Sequence, residues 1–164
     1  NALKRVAPQG GNYVLDAVSE ASADLKKLAR EGDRTVVVVV TGTGPEFSYR
    51  DKYRAADEAE KNADLFLSVQ VDSGQADFEV LANISYVLDR LAKATGGRYD
   101  VILSAMGTDD ALRKLSAHLR SGYRLAYATL PDIKKRKLDL SVARLGTRLF
   151  LPITSEREDS PGEP

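Results

Sequence analysis

Asp33-Arg34-Thr35-Val36-Val37-Val38-Val39-Val40-Thr41-Gly42-Thr43-Gly44 is the stretch whose reading decides the fold. Five β-branched residues in a row, with charges before them and glycines after, read as a strand buried on both faces. Such strands belong to parallel sheets covered by helices. The expected class is therefore α/β, and in open parallel sheets ligands sit outside the carboxyl ends of the strands. The Thr-Gly-Thr-Gly loop is where a site is expected, although it contains neither a carboxylate nor a lysine.

Outward from the valines the same logic extends in both directions. Upstream, Val14, Leu15, Val18, Ala21, Leu25 and Leu28 recur at helical spacing, with Asp16, Glu20, Lys26, Lys27 and Arg30 on the other side. This predicts an amphipathic helix over 13–30, ended by Glu31-Gly32. Downstream, the charged stretch 50–61 has mostly alanine at its apolar positions and reads as a short surface helix lying lightly on the sheet. A second buried strand is expected over 65–71, ending in Asp72-Ser73-Gly74. A long helix follows over 78–94, with Leu81, Ile84, Val87, Leu88 and Leu91 on one face and Thr95-Gly96-Gly97 as its stop. A third strand is expected over 99–105. Thr108 is the expected N-cap of a further helix that carries Leu112, Leu115 and Leu119 inward, with Asp109 and Asp110 in its first turn. Beyond Ser121-Gly122 the pattern predicts a hairpin of strands 123–130 and 138–145 around Lys134-Lys135-Arg136-Lys137. One more short strand is expected over 148–153, and a disordered tail over 154–164. The expected domain is 1–153.

Composition excludes several classes. The chain has 164 residues, 43% of them hydrophobic, which is enough for one domain with a core. Its 24 basic and 24 acidic residues cancel, so no net field draws it to nucleic acid or an anionic membrane. With no cysteine, disulfides, thiolate nucleophiles and iron–sulfur ligation fall away. Apolar runs are strand-sized, so no transmembrane segment is expected. The chain opens at Asn1 rather than Met and reads as a processed product or a fragment, so the lack of a signal sequence says nothing of compartment.

Catalytic constellations are sparse. Asp72-Ser73-Gly74 and the single histidine, His118, lack a Gly-x-Ser-x-Gly elbow, and His118 reads as a partly exposed helical residue. Gly42-x-Gly44 lacks the third glycine of a dinucleotide fingerprint, and no Gly-Lys-Ser/Thr triplet makes a P-loop. The basic run 134–137 reads as a solvated turn.

Three segments together carry a family resemblance. Gly10-Gly11-Asn12-Tyr13-Val14-Leu15-Asp16-Ala17 stands before the valine strand. Thr95-Gly96-Gly97-Arg98-Tyr99 follows the second long helix, and Ser121-Gly122-Tyr123-Arg124-Leu125-Ala126-Tyr127 follows the last one. In this order they resemble the C-terminal part of a von Willebrand factor type A (VWA) domain of the bacterial kind, over most of residues 2–153. The resemblance implies a Rossmann-like doubly wound sheet, a protein-binding role and a periplasmic or secreted location. It also implies a divalent-metal adhesion site at the strand ends, built from an Asp-x-Ser-x-Ser loop, a threonine and an aspartate. Here the first loop is absent, Asn12 stands where the threonine belongs, and Thr41-Gly42-Thr43-Gly44 replaces the aspartate. Neutral oxygens do little to offset dehydration of Mg²⁺ or Ca²⁺, so no cofactor is expected and Asn12 is at most a weak ligand.

The functional expectation is a non-enzymatic interaction module, an accessory or structural subunit with a degenerate metal site. Its contacts are expected at the rim residues Asn12, Thr41, Thr43, Asp72 and Ser73. The resemblance further implies that strands neighbouring Val36 to Val40 are missing, so another protein chain or a cleaved N-terminal segment is expected to cover that strand. The rival expectation is one half of a small-molecule-binding or hydrolytic α/β enzyme.

Overall fold

The computed structural model describes residues 11–72, 74, 77–123, 140–143 and 149–152. Within them the chain is an α/β Rossmann-like unit: a three-stranded parallel sheet with helices on both faces. The elements run α1 (Val14–Leu28), β1 (Val36–Gly42), α2 (Lys52–Glu60), β2 (Leu65–Val71), α3 (Phe78–Thr95), β3 (Arg98–Ile102) and α4 (Thr108–Arg120), with a short 3₁₀ turn, Ala105–Gly107, before α4. Strand order is β1-β2-β3, so β2 is central and β1 an edge. Val36 pairs in register with Leu65, and Leu67 with Arg98.

One face of the sheet carries the larger core. Val37 and Phe66 pack there against Leu15 and Val18 of α1, the alanines of α2 and Ile84, Val87, Leu88 and Leu91 of α3. Leu65, Leu67 and Val69 point the other way, onto Ala111 and Leu115 of α4. Every residue from Leu65 to Gln70 is buried, so the two-sided burial expected of the valine strand belongs to β2. The valine strand itself departs from that expectation. It lies at the edge, Val37 is buried, and Val38 and Val40 stand 49% and 53% exposed. A β-branched run reports strand propensity strongly but cannot distinguish a central position from a border one.

The α2 helix does not lie lightly on the sheet. Ala55, Ala56 and Ala59 are wholly buried between α1 and α3. Small side chains here bring backbones close together instead of marking weak contact. Asp51 caps this helix, accepting from the N–H groups of Tyr53 at 2.9 Å and Arg54 at 3.0 Å.

In α1 the buried face is Leu15, Asp16, Val18, Ser19 and Ser22, whereas Ala21 is exposed and Leu28 is 78% exposed. The helix is therefore rotated from the face its apolar residues suggested, and Asp16 moves from the solvent side to the inside. In α4, Ala111 and Leu115 point inward, and Leu112 and Leu119 are each 40% exposed. Gly107, not Thr108, precedes the helix, with no side-chain cap.

Gly96 takes a left-handed conformation (φ 68°) at the end of α3, and Gly97 then passes so close to β2 that a Cβ would overlap the carbonyl oxygen of Phe66. Thr95 completes this turn, donating its hydroxyl to Leu91 O at 2.7 Å and accepting from Phe66 N–H at 3.0 Å. Residues 149–152 are irregular, not a strand, and rest on the same turn: Phe150 meets His118 edge-on, and His118 Nε2 lies 3.1 Å from Gly96 O. The expected hairpin 123–130 and 138–145 with its basic turn, apart from Tyr123 and residues 140–143, lies outside the described residues. So does the tail 154–164.

Candidate functional site

Because β1, β2 and β3 run in parallel, their carboxyl ends open on one rim, where α2, α3 and α4 begin. The N-terminus of α1 joins this rim. Asn12 N–H donates to Pro45 O at 2.9 Å and Asn12 O accepts from Phe47 N–H at 2.7 Å, tying the start of α1 to the loop after β1. Gly11 fits beneath the Phe47 ring, where a Cβ would collide, and a Cβ at Gly44 would stand 3.0 Å from Asn12 Nδ2. The Gly-Gly-Asn and Thr-Gly-Thr-Gly segments, far apart in sequence, thus interlock.

Of the residues singled out for the rim, Asn12 and Thr43 are half-buried, Thr41 is the penultimate residue of β1, and Asp72 follows β2 directly. The Thr41 hydroxyl donates to Gly42 O at 3.0 Å. Thr43 N–H donates to Val71 O at 3.1 Å, so the exits of β1 and β2 stay side by side. Asp72 N–H donates to Ile102 O at 2.8 Å, and its carboxylate accepts from Gly74 N–H at 2.8 Å in a local turn. Ser73 lies outside the described residues.

The main polar assembly here is one that sequence reading passed over. Glu46 accepts from Val14 N–H at 3.1 Å and from Ser48 N–H at 3.0 Å, while Ser48 Oγ accepts from Asp16 N–H at 3.0 Å. The loop after β1 therefore caps α1 from a distance, occupying amide groups that an anion would otherwise find free. In return Asp16 accepts from Tyr49 N–H at 2.8 Å and from Arg50 N–H and Nη1 at 3.1 and 2.9 Å. The Tyr49 amide, above all, holds the Asp16 carboxyl below its ordinary range, with Arg50 adding to it against the opposing effect of burial. Arg50 is raised in turn by Asp16 and Glu58, and it also reaches Glu20 at 3.3 Å. The one available signal was an acid in the first turn of a helix, which ordinarily indicates only a favourable dipole interaction.

Divalent-metal binding can be tested against these donors. Glu46 spends both oxygens on amides, and one oxygen of Asp72 is engaged in its own turn. Among the described residues no group of three or more His, Cys, Asp or Glu is placed to hold a metal. The donors present do not fit a hard dication.

What the rim does offer is apolar surface. Phe47 is 55% exposed, Tyr49 95%, Phe78 83%, Leu103 82% and Met106 94%, each in or beside a loop leaving a strand. Tyr13 packs tilted against Phe47 at 6.1 Å between centroids. Behind the rim, Tyr99 and Ser85 donate to Gln70 Oε1 inside the core, the latter at 3.1 Å. Ser68 Oγ and Gln70 Nε2 are buried without a partner among the described residues.

No family model, curated protein or solved structure matches the chain. No helix of the described residues is long and apolar enough to cross a membrane.

Proposed function

We propose that this chain is a non-enzymatic protein–protein interaction module, VWA-like with a degenerate metal site, and an accessory or structural subunit of a larger assembly. The observation that carries the reading is the rim. Its described acids, Glu46 and Asp72, hold backbone amides, while Phe47, Tyr49, Phe78, Leu103 and Met106 stand open to solvent. Aromatic and Met side chains exposed together are what protein interfaces use at their centres, and contiguous apolar exposure marks interaction surfaces. The uncovered edge strand β1 offers a second surface for another chain. A hydrolytic centre would instead need a nucleophile within reach of a base, and the perturbed carboxylates here are consumed by structural ion pairs and caps.

Native mass spectrometry of the protein isolated from its source tests this. The expected result is the 17.9 kDa chain bound to a second polypeptide, released when Tyr49→Ser and Met106→Ser are combined. A lone chain of that mass, or an assembly indifferent to both substitutions, overturns the rim as the binding surface.

A further inference from the structure

The free edge of β1 has a defined polarity. Thr35 O accepts from Leu65 N–H and Thr43 N–H donates to Val71 O, so the odd-numbered residues of this stretch bond to β2. Alternation along a parallel strand then turns the N–H and C=O groups of Val36, Val38, Val40 and Gly42 toward the open side. Nothing in the strand blunts that edge: it has no proline, no lysine and no charged side chain between Val36 and Gly42.

Beside this edge lies a groove of about 280 Å³ where α1 meets β1, lined by Val14, Ala17 and Ala21 on the helix and Val37, Val39 and Thr41 on the strand. Its walls carry no charge, so an uncharged side chain is what they complement. The apolar stripe of α1 is wider than the sheet beneath it: Ala17 and Ala21 remain exposed while Leu15 and Val18 are buried. On the opposite face Val38 and Val40 lack the cover that α4 gives to Leu67 and Val69.

Handedness says how that space is meant to be filled. The helices α2 and α3, which carry the chain from β1 to β2 and from β2 to β3, lie on the same face as α1. A right-handed strand–helix–strand unit using α1 as its crossover has only one place for its first strand, beside β1 on the side away from β2 and parallel to it.

Resting on the interaction-module reading, we infer that the β1 edge is a slot for a β-strand of another polypeptide, running parallel to β1, with small uncharged apolar side chains at the alternate positions that enter the α1 groove. The partner's backbone pairs with Val36, Val38, Val40 and Gly42, and its side chains on the second face cover Val38 and Val40.

The probe is a soluble synthetic strand peptide of alternating valine and threonine, with lysines at its N-terminal end and a nitroxide at its C-terminal end, added to the whole chain. At saturation, hydrogen exchange at the Val36, Val38 and Val40 amides is expected to slow at least tenfold, with nitroxide broadening at Gly42 and none at Arg34. The Val38→Pro variant removes only an outward N–H, so it keeps the fold by circular dichroism and loses the protection; Val40→Pro serves if that variant does not fold. Unchanged exchange at these amides overturns the slot, and broadening at Arg34 overturns the parallel orientation. Edge amides already protected in a species of twice the chain mass would show that a second copy is the occupant and overturn the inference. A native complex that depends on Tyr49 and Met106 but leaves the edge amides unprotected would retain the interaction module and remove the slot alone.

Discussion

Val38 on β1 stands directly beside Leu67 on β2, on the same face of the sheet, yet Leu67 is completely buried and Val38 is 49% exposed. The cover supplied by α4 ends within one strand spacing. The two positions should therefore respond in opposite ways to substitution.

Leu67→Ala is expected to cost about 2–5 kcal/mol, the range for a large-to-small change in a closed core. Val38→Thr in the isolated chain should stay within about 0.5 kcal/mol, as for a surface site. Urea titration followed by circular dichroism measures both. Comparable losses at the two positions would mean that β1 is covered in solution.

Gly97 gives a backbone test. A Cβ there overlaps the Phe66 carbonyl oxygen, which belongs to the central strand and cannot move away. Gly97→Ala is expected to destabilise by about 1–3 kcal/mol or more through forced displacement, whereas Gly42→Ala, whose Cβ would meet nothing within 4 Å, is expected to be tolerated. Thermal denaturation of the two variants ranks them directly.

Asp16 makes acid stability specific to one residue. Its folded carboxyl lies below the unfolded value of 3.8, mainly through the Tyr49 amide, so the ionised form binds the native loop better than the unfolded chain. That contribution is complete above pH 3.8 and is lost as pH falls through the lower folded value. Asp16→Asn should lower the melting temperature at pH 7 and narrow its gap to wild type as pH drops below 3.8. A gap that stays constant with pH would remove the charge from the explanation.

Much of the fold was legible in the sequence because its signals are local. Hydrophobic periodicity gave α1 and α3 nearly to their ends, and the apolar runs gave the strands. Thr95-Gly96-Gly97 marked a stop whose left-handed glycine is present at Gly96. Order within the sheet was not legible from strand composition, since Val36 to Val40 and Leu65 to Val71 look equally buried as text; only the implied absence of neighbouring strands pointed to an edge. The rim was placed correctly by the carboxyl-end rule, with Asn12, Thr41, Thr43 and Asp72 all following it. Its working parts were missed, because Glu46, Ser48 and Asp16 act across separations of 32–33 residues that no spacing rule contains. Exposure of Tyr49 and Met106 is likewise a property of loops, where apolar residues carry no period to read.

His118 allows the last prediction to be made on a single proton, since the chain has no other histidine. Burial is the main influence on the ring and lowers its pKa below 6.5. Arg98 of β3 and Arg34 ahead of β1 push in the same direction, while the bond to Gly96 O opposes them. The unfolded chain therefore takes up the proton first. Stability from this site is complete above pH 6.5 and falls as pH drops from there toward the folded value, below which it is level. The ring also supports Phe150, at 4.8 Å between centroids, so protonation is expected to loosen residues 149–152 before the sheet itself. Chemical-shift titration of the His118 ring should give a midpoint below 6.5, with the Phe150 and Leu151 amides following the same curve. In His118→Gln, stability should no longer decline between pH 7 and pH 5. A midpoint at or above 6.5, or Phe150 signals indifferent to it, would separate the histidine from the docking of this segment.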